Sequence, residues 1–314
     1  MKELLSICIP TYNRCVHLKK ILDKILKLCV KYNIQVFVSD NASTDETQLI
    51  CSQYLREYSI FHYYRNETNI GPDNNFEFVI KQSNTKYRWL LSDTCYFENL
   101  NNLIEDLSNF DFDVYVVNGS EDRAKYLPHE EEIFDSSIIA LEHIGWHLSW
   151  ISCMIYNEKV IKNLNFKRFS NSSFNQTGIV FESTANRKCF IKFNPNVIVR
   201  HLKEKKESEW NYRVFDIFYR DWYMFVMSLP VYYSYASKIK CIHDCQKKSA
   251  VLSYRMHAKR RSEGKWSYKD IRKNHFFITQ SGQSYIIFLF MSITPHIVIK
   301  SLFLIGHIVK KIIK

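Results

Sequence analysis

The feature that most constrains the fold is an alternation of strand and helix patterns along the first 120 residues. Short apolar runs predict five strands, at residues 4–10, 34–40, 60–64, 87–93 and 113–118. Helical patterns lie between these runs, and the clearest places the apolar side chains of 18–29 on one face. Strands that alternate with helices of about ten residues predict a mostly parallel sheet covered by helices on both faces.

Three of the intervening helices can be placed from local signals. Ser43 and Glu46 have the spacing of a capping box, which predicts a helix that opens there and runs to about Glu57. Two further helices are expected at 73–83 and 99–108. The second half of the chain carries weaker strand signals at 149–156 and 189–202, and from about residue 207 the pattern is helical.

Composition excludes several classes of protein. With 46% hydrophobic and 24% charged residues, the chain is globular rather than disordered. Nine cysteines without a repeated spacing favour a reducing compartment over a disulfide framework. The one close cluster, Cys241-x-His243-x-Cys245, lacks the second pair that metal sites usually show, so buried thiols are the favoured interpretation. The apolar run at 4–10 is too short for a signal peptide, and we expect no export.

The positive charge is concentrated in the last third of the chain. From Arg200 onward there are 22 Lys and Arg against 8 Asp and Glu, whereas the first 199 residues have 21 against 24. A basic region of this kind predicts an anionic partner, which is a nucleic acid, a phospholipid surface or a phosphorylated substrate. Nucleic acid is disfavoured because the basic residues lie beside long apolar runs and no recognition motif is present.

Two carboxylates mark the candidate ligand site. Asp40 and Asp93 both follow predicted strands, and ligands of parallel sheets bind at the carboxyl ends of the strands. The chain has neither the G-x-G-x-x-G fingerprint nor a Walker-type glycine loop. A bound nucleotide would therefore have to be held by other means. Asp40 can accept the ring N–H of a uracil-like base, with Pro10 and Tyr12 as the flat wall, and Asp93 can accept ribose hydroxyls.

Three stretches carry a resemblance to a known family. They are IPTYNR at 9–14, VSDNASTDET at 38–47 and NETNIGPDNN at 66–75. In this order and spacing they resemble the nucleotide-sugar-binding half of family 2 glycosyltransferases of the GT-A fold. The subgroup is the bacterial, abequosyltransferase-like one that builds surface polysaccharides, including O-antigen and capsule.

The resemblance implies a domain layout and a donor pocket. We expect a GT-A catalytic domain at 1–205, with a nucleotide-sugar half at 1–120 and an acceptor half at 121–205, followed by a helical region at 206–314. The residues that would bind the nucleotide-sugar donor are Pro10, Thr11, Tyr12, Asn13, Asp40, Asn41, Asn69, Gly71, Asn75, Ser92 and Asp93. Ser43 and Asp45 are explained as well by helix capping.

The metal site of the family is altered in this sequence. There the strand ends in two or three acids, of which the last binds Mg²⁺ or Mn²⁺, but here Asp93 is followed by Thr94 and Cys95. Hard divalent cations prefer oxygen ligands. Three alternatives are open. In the first, Asp93 holds a metal together with another group such as His201. In the second, Arg200 or the lysines at 203–206 neutralise the diphosphate, and in the third, catalysis is impaired.

The resemblance also implies an inverting transfer that needs a general base on the acceptor-facing helix. Glu182 has the appropriate place in the chain order, although an exposed helical glutamate fits it almost as well. The acids at 130–132 and Asp135 are weaker candidates. We expect transfer from a nucleotide-sugar donor to a glycan acceptor, with a lipid-linked oligosaccharide as the expected form. The alternative is a relic or assembly protein that binds nucleotide sugars without catalysis.

The end of the chain predicts membrane contact. Residues 285–299 contain no charge, but this stretch of 15 residues is shorter than the about 20 that a membrane span needs. Apolar helices beside lysines favour a segment at 285–314 that lies in the interface of an anionic membrane. The aromatic stretch at 210–227 could lie at the headgroup level or pack as a helical lid. We expect a peripheral protein on the cytoplasmic face of the plasma membrane.

Overall fold

A computed structural model of the chain describes residues 3–119, 125–162, 166–170, 172–203 and 209–301. The chain divides into two compact units. The sheet unit comprises residues 1–205 and 229–234, and the helical unit comprises 206–228 and 235–314.

The described part of the sheet unit contains a nine-stranded mixed sheet. Its strands are β1 (Leu5–Thr11), β2 (Gln35–Asp40), β3 (Phe61–Arg65), β4 (Tyr87–Leu90), β5 (Cys95–Phe97), β6 (Val114–Asn118), β7 (Glu132–Phe134), β8 (Met154–Asn157) and β9 (Ile191–His201). Their order is β3-β2-β1-β4-β8-β6-β9-β5, and β7 pairs with β9. The expected α/β architecture, a sheet flanked by helices, is confirmed.

The amino-terminal half of the sheet is parallel, as the alternating pattern predicts. Strand β1 is flanked by β2 and β4, and β2 by β3, all in parallel pairing. In β1 and β2 every side chain is buried, which is typical of parallel strands covered on both faces. The carboxyl ends of β1, β2 and β4 therefore meet at one edge of the sheet.

The other half of the sheet adds antiparallel strands that periodicity did not reveal. Strand β8 lies between β4 and β6 and is antiparallel to both, and β9 is antiparallel to β5 and β7 but parallel to β6. The strand expected at 149–156 is shorter, because a 3₁₀ turn occupies Ile151–Cys153. The strand signals within 189–202 form one strand, β9, and the strand expected at 87–93 ends at Leu90.

Seven helices of the sheet unit are described, and the sequence predicted the first four of them. They are α1 (Cys15–Lys31), α2 (Thr47–Glu57), α3 (Pro72–Gln82), α4 (Asn101–Asn109), α5 (Ser137–Ile144), α6 (Glu158–Ile161) and α7 (Asn175–Ser183). The apolar face predicted for α1 is the buried one, formed by Leu18, Ile21, Leu22, Ile25, Leu26 and Cys29. Gly71 precedes α3 with a φ of 82°, a conformation that glycine adopts without strain.

The capping box predicted for α2 is wrong. The helix begins at Thr47, and the Ser43 hydroxyl accepts the backbone N–H of Asn13 at 2.9 Å instead of an N–H of its own helix. Asp45 takes the capping role, because its carboxylate accepts the backbone N–H of Thr47 at 3.1 Å. A partner from another loop has replaced the local one.

The helical unit is built around buried aromatic side chains. A π-helical turn at Asp216–Asp221 leads into α8 (Trp222–Ser228), followed by α9 (Tyr235–Lys248), α10 (Tyr254–Ser262), α11 (Tyr268–Lys273), α12 (His275–Gln280) and α13 (Tyr285–Ile293). Phe288 of α13 is fully buried and contacts the rings of Phe215, Tyr219 and Trp266.

This packing bears on the two alternatives for the stretch 210–227. Four of its aromatic side chains are buried, which favours packing over the headgroup level for these four: Phe215, Tyr219, Trp222 and Phe225. Tyr212 is 54% exposed, and Trp210 and Tyr223 are half-buried. Cys241 and Cys245 are buried thiols on α9, as expected. Among the described residues, no helix combines the length and apolar character needed to cross a membrane. Residues 302–314 of the predicted interfacial segment lie outside the described residues.

Candidate active site

The edge where β1, β2 and β4 end brings the two predicted acids into one region. Thr11, the last residue of β1, pairs with Asp40 at the end of β2. The Thr11 hydroxyl also donates a hydrogen bond to the Asp93 carboxylate, at 3.0 Å. Three chain segments that are far apart in sequence therefore converge on Thr11.

Asp93 has two protein partners at this edge. Its side chain lies in the loop after β4, is 6% exposed, and receives the Thr11 hydroxyl on Oδ2. The Arg14 guanidinium lies 3.5 Å from Oδ1. Burial raises the pKa of Asp93 above its ordinary value, although Arg14 and the Thr11 hydrogen bond work in the opposite direction. Asp93 is therefore a carboxylate whose charge is only partly offset.

Asp40 is more deeply enclosed than the sequence suggests. Its side chain is 0% exposed, and its carboxylate accepts the backbone N–H of Ser43 at 2.8 Å, the Tyr63 hydroxyl at 2.7 Å and the Arg65 guanidinium at 2.8 Å. The Asp40 carboxylate contributes to a raised pKa of Tyr63, for which burial is the larger cause. A base can reach Asp40 only if Tyr63 or Arg65 moves.

Two loops of the site are held together by reciprocal hydrogen bonds. Asn13 has a φ of 53°, and its backbone N–H donates to Ser43 while its side-chain oxygen accepts the Thr44 N–H at 2.7 Å. The Asp45 carboxylate accepts the backbone N–H of Cys15, the first residue of α1, at 2.9 Å. Asn13 therefore positions the loops in this structure.

An amide network supports the start of α3. Asn41 donates to Asn69 at 2.8 Å, and its oxygen accepts the Ile70 N–H at 2.9 Å. Asn75 is buried and bonds Ser39 through both its side-chain oxygen and its side-chain nitrogen, at 2.5 and 3.1 Å. Asn41 and Asn75 thus have structural partners, whereas Asn69 is exposed and Gly71 is half-buried at the rim of the network.

Tyr12, Pro10 and Ser92 complete the predicted pocket residues. Tyr12 is an exposed aromatic directly after β1, which fits a wall for a base, whereas Pro10 is buried within β1. The Ser92 N–H donates to the hydroxyl of Ser152 at 3.0 Å, which ties the Asp93 loop to the turn before β8. Of this group, Tyr12 is the side chain most open to a ligand.

The position expected to hold a metal contains a thiol–imidazole pair. Cys95 of β5 lies opposite His201 of β9, and its Sγ is 3.1 Å from His201 Nδ1. The Trp150 ring lies against His201, with 5.1 Å between ring centroids. Among the residues that the structure describes, no three His, Cys, Asp or Glu side chains form a group that could hold a metal ion. The residues present do not fit Mg²⁺ or Mn²⁺, which prefer several oxygen ligands.

The candidate base lies on α7. The Glu182 Oε1 atom pairs with the Arg168 guanidinium at 2.5 Å. Its other oxygen is buried and has no hydrogen-bond partner within the described part of the chain. The Thr177 hydroxyl, near the start of the same helix, donates to the Leu148 carbonyl at 2.6 Å, close in sequence to Trp150.

Of the alternative cations, Arg200 has an acidic partner, Lys203 is described, and the others lie outside the described residues. Arg200 pairs with Glu98 at 3.0 Å, on the strand β9 that ends at His201. Lys203 is exposed, and the rest of the predicted cluster at 203–206 lies outside the described residues. Sequence reasoning missed Arg14, Tyr63 and Arg65 as site residues. The signal for Arg14 was its place inside the motif at 9–14.

A shallow depression lies at the opposite edge of the sheet unit. Leu4 and Lys86, which precede β1 and β4, line it, so it is at the amino ends of these strands. Lys86 and Lys159 pair there with Asp111 at 3.2 and 3.1 Å. None of the predicted site residues lines it.

Comparison with known proteins settles the family. The profile of glycosyl transferase family 2 matches residues 6–164, which include the strand ends described above. The chain belongs to glycosyl transferase family 2. An abequosyltransferase, RfbV of Salmonella typhimurium, is 34% identical over 122 residues, which is 38% of this chain and 36% of that protein. An uncharacterized glycosyltransferase of Mycoplasma genitalium is 34% identical over 99 residues, 31% of this chain and 33% of that protein.

The chain matches only about a third of the length of each of these relatives, so the similarity applies to the matched segment. Solved structures are similar to this chain in fold. S. aureus TarS 1–349 in complex with UDP-GlcNAc has a TM-score of 0.58 at 16% identity, over 84% of this chain and 80% of that one. The mannosyltransferase PcManGT of Pyrobaculum calidifontis, in complex with GDP-Man and Mn²⁺, has a TM-score of 0.55 at 10% identity, over 90% and 86%. Both support the GT-A fold.

Proposed function

We propose that this family 2 protein is a glycosyltransferase whose nucleotide-sugar donor binds at the carboxyl ends of β1, β2 and β4. The observation that carries the proposal is the convergence of Thr11, Arg14 and Asp93 at this edge. Donors occupy the carboxyl edge of parallel strands. Exposed Tyr12 offers a face for the base, and Asp93 an acceptor for ribose hydroxyls.

The reaction proposed is a single displacement with inversion. The acceptor hydroxyl attacks the anomeric carbon, its proton passes to the Glu182 carboxylate, and the bond to the diphosphate breaks so that a nucleoside diphosphate leaves. The Oε2 atom of Glu182 has no hydrogen-bond partner in the described residues, so this oxygen is the one that could accept the proton, and because it is buried a local movement must first expose it to the acceptor. The pairing of Oε1 with Arg168 would orient the carboxylate.

The acceptor class follows from similarity and from the helical unit. Similarity to an abequosyltransferase supports a glycan acceptor in bacterial surface polysaccharide synthesis, such as O-antigen. All nine cysteines are free thiols, which supports a location on the cytoplasmic face of the membrane. A lipid-linked acceptor would explain the surface chemistry of α13.

Helix α13 has apolar residues on its exposed face as well as on its buried one. Phe288 points into the helical unit, whereas Ile286, Phe290 and Ile293 are 63%, 64% and 66% exposed. Ile297, beyond Pro295, is 76% exposed. The spacing of four and three residues places Ile286, Phe290 and Ile293 along one side of α13, whereas Ile297 lies after the break at Thr294 and Pro295. We call these four exposed residues the apolar stripe.

Exposed basic residues accompany the stripe. Helix α11 packs against α13 and exposes Lys269, Arg272 and Lys273. Apolar side chains beside cations are the composition of a segment that lies in the interface of an anionic bilayer. The proposed function therefore includes peripheral attachment through the apolar stripe, which would bring the transferase to a lipid-linked acceptor.

Donor binding can be tested by isothermal titration of nucleotide sugars and nucleoside diphosphates carrying uridine, thymidine, guanosine or cytidine. We expect one of them to bind and Asp93→Asn to weaken that binding at least about tenfold, because an amide replaces a charged acceptor of similar shape. Asp111→Asn, at the opposite edge, is the matched control and should leave affinity unchanged. Failure of all donors to bind would contradict the proposal. Binding without turnover on any glycan acceptor would favour a non-catalytic relic.

Membrane attachment can be tested by sedimentation with vesicles of phosphatidylglycerol and phosphatidylcholine. Truncation before residue 285 would remove the buried Phe288 and damage the helical unit, so point substitutions are the sharper tool. Phe290→Glu with Ile293→Glu should abolish sedimentation, whereas Met224→Glu, at another exposed apolar residue, should not. Equal sedimentation of both variants, or none by the native chain, would refute the attachment.

A further inference from the structure

The loop after β4 has the wrong chemistry for the hard cation that the fold implies. From Ser92 to Cys95, Asp93 is the only carboxylate. The two residues that follow it offer a hydroxyl and a thiol, and neither is an anionic oxygen at neutral pH. Mg²⁺ and Mn²⁺ bind through oxygens, and a lone carboxylate is a weak site for either.

The Asp93 carboxylate already has two partners within the protein. Thr11 donates to Asp93 Oδ2, and the Arg14 guanidinium is next to Oδ1. A cation that bound Asp93 would have to approach beside a guanidinium of like charge. Like charges at this separation repel each other appreciably even at the effective dielectric constant near a protein surface.

The Cys95 thiol does not replace the missing oxygen ligands. Cys95 is fully buried, and its sulfur faces the Nδ1 atom of His201 across the β5–β9 pair. Thiolate and imidazole favour softer cations such as Zn²⁺ over Mg²⁺ or Mn²⁺. The described residues provide no third ligand of the His, Cys, Asp or Glu type at this place.

We infer that this site binds its donor diphosphate without a divalent cation, and that Arg14 supplies positive charge beside Asp93 where such a cation would otherwise act. The inference rests on the proposed donor site. Arg14 directly precedes α1, and the first backbone N–H of that helix already donates to the Asp45 carboxylate, so the Arg14 guanidinium is the positive charge on which the inference rests. Arg14 is about a quarter exposed, and a guanidinium with five donors can hold Asp93 and still bind a phosphate oxygen.

The test uses the full chain, dialysed against EDTA, and the nucleoside diphosphates UDP, dTDP, GDP and CDP as probes in isothermal titration. The dissociation constant of the tightest probe should differ by less than about twofold between excess EDTA and saturating MnCl₂. Binding that needs Mn²⁺ or Zn²⁺ would overturn this inference alone. No binding by any of the four would overturn the proposed function as well, so the two failures are distinguishable.

Arg14→Gln tests the protein cation. It should weaken diphosphate binding at least about fivefold, because a charge-assisted contact is lost. Binding of the corresponding nucleoside, which has no phosphate, should not change. Arg56→Gln, at an exposed arginine of α2, is the matched control. If Arg14→Gln and Arg56→Gln bind the diphosphate equally well, Arg14 does not neutralise the negative charge of the diphosphate.

Restoring an acid tests the chemistry of the loop. Electron paramagnetic resonance of Mn²⁺ is compared with a protein-free sample that contains the same diphosphate. The native chain should bind no Mn²⁺ beyond that reference, and Cys95→Asp should bind more. Because Cys95 is buried, Thr94→Asp is measured beside it, and Cys95→Ser is the control for the lost thiol. Mn²⁺ uptake by the native chain, or by none of the acid variants, would refute the explanation.

Discussion

Asp45 connects two helices at the donor edge and offers a sharp test of how the site is held. Its carboxylate accepts the first backbone N–H of α1, from Cys15, at 2.9 Å. It also accepts the Thr47 N–H at 3.1 Å and the Thr47 hydroxyl at 2.5 Å, at the start of α2. Asp45→Ala removes the acceptor from both helix starts at once.

The magnitude follows from these contacts. Loss of an N-cap acceptor costs about 0.5–2 kcal/mol of stability, and here two helices lose one. Asp45 is partly exposed, so water can replace some of the lost hydrogen bonds. We expect Asp45→Ala to lower the free energy of unfolding of the sheet unit by about 2 kcal/mol, and Asp45→Asn, which keeps an oxygen acceptor, by about half as much.

The effect should depend on pH in a defined direction. Burial acts to raise the pKa of Asp45, but hydrogen bonds from Cys15 and Thr47 outweigh it and hold the pKa below its ordinary value. A lowered pKa means that the stabilisation is complete above the unfolded-state value and is lost as pH falls through the folded-state value. The difference between the native chain and Asp45→Ala should therefore shrink from neutral pH toward about pH 3.

Urea denaturation followed by tryptophan fluorescence at several pH values measures this difference. Because the two units need not unfold together, the chain can show two unfolding transitions. The change in circular dichroism during the first transition identifies the unit that unfolds in it. Glu105→Ala, at an exposed acid of α4, is the control and should be near neutral. A loss below about 0.5 kcal/mol, or one that grows in acid, would refute the bridging role of Asp45.

Three further substitutions test other contacts. Gly178→Ala places a methyl group into the ring of Phe169 and should cost about 1–3 kcal/mol in a thermal melt; an unchanged midpoint would contradict this packing. Tyr63→Phe removes the hydroxyl that donates a hydrogen bond to Asp40 and should lower the free energy of unfolding, measured in urea, by about 1.5–3 kcal/mol, whereas Tyr64→Phe at the neighbouring residue should have little effect. Glu182→Gln should lower kcat by about 10²–10⁴ with unchanged donor affinity, and full turnover would exclude Glu182 as the base.

Much of the sheet unit could be predicted because its signals are local. The apolar spacing in α1 lies within one helix, and its six buried residues are those that the periodicity selects. The runs that became β1, β2 and β3 needed no partner information. The insertion of β8 between β4 and β6 could not be predicted, because strand order depends on which distant segments pair.

The site shows the same division between local and long-range information. Asp93 was predicted at the right edge from its strand end alone. The enclosure of Asp40 was not, because it depends on Tyr63 and Arg65 from the neighbouring strand. Likewise Ser43 has the spacing of a capping box, but an N–H from a loop thirty residues away in sequence is its actual partner.

The pairing of Cys95 with His201 combines the two kinds of information. Both residues stood out in the sequence, one as a replaced acid and the other as a candidate ligand. Only the antiparallel register of β5 and β9 places the sulfur beside the ring nitrogen. Residue types could therefore be predicted, whereas their contact depends on the fold.

Hydrogen–deuterium exchange tests the central claim, the location of the donor, most directly. With the nucleoside diphosphate that binds tightest, peptides covering residues 8–14, 38–45 and 91–95 should exchange more slowly. Peptides that contain Lys86 and Asp111, at the opposite edge, should be unchanged. Protection at that opposite edge or only in the helical unit, with none at the ends of β1, β2 and β4, would contradict the proposed donor site.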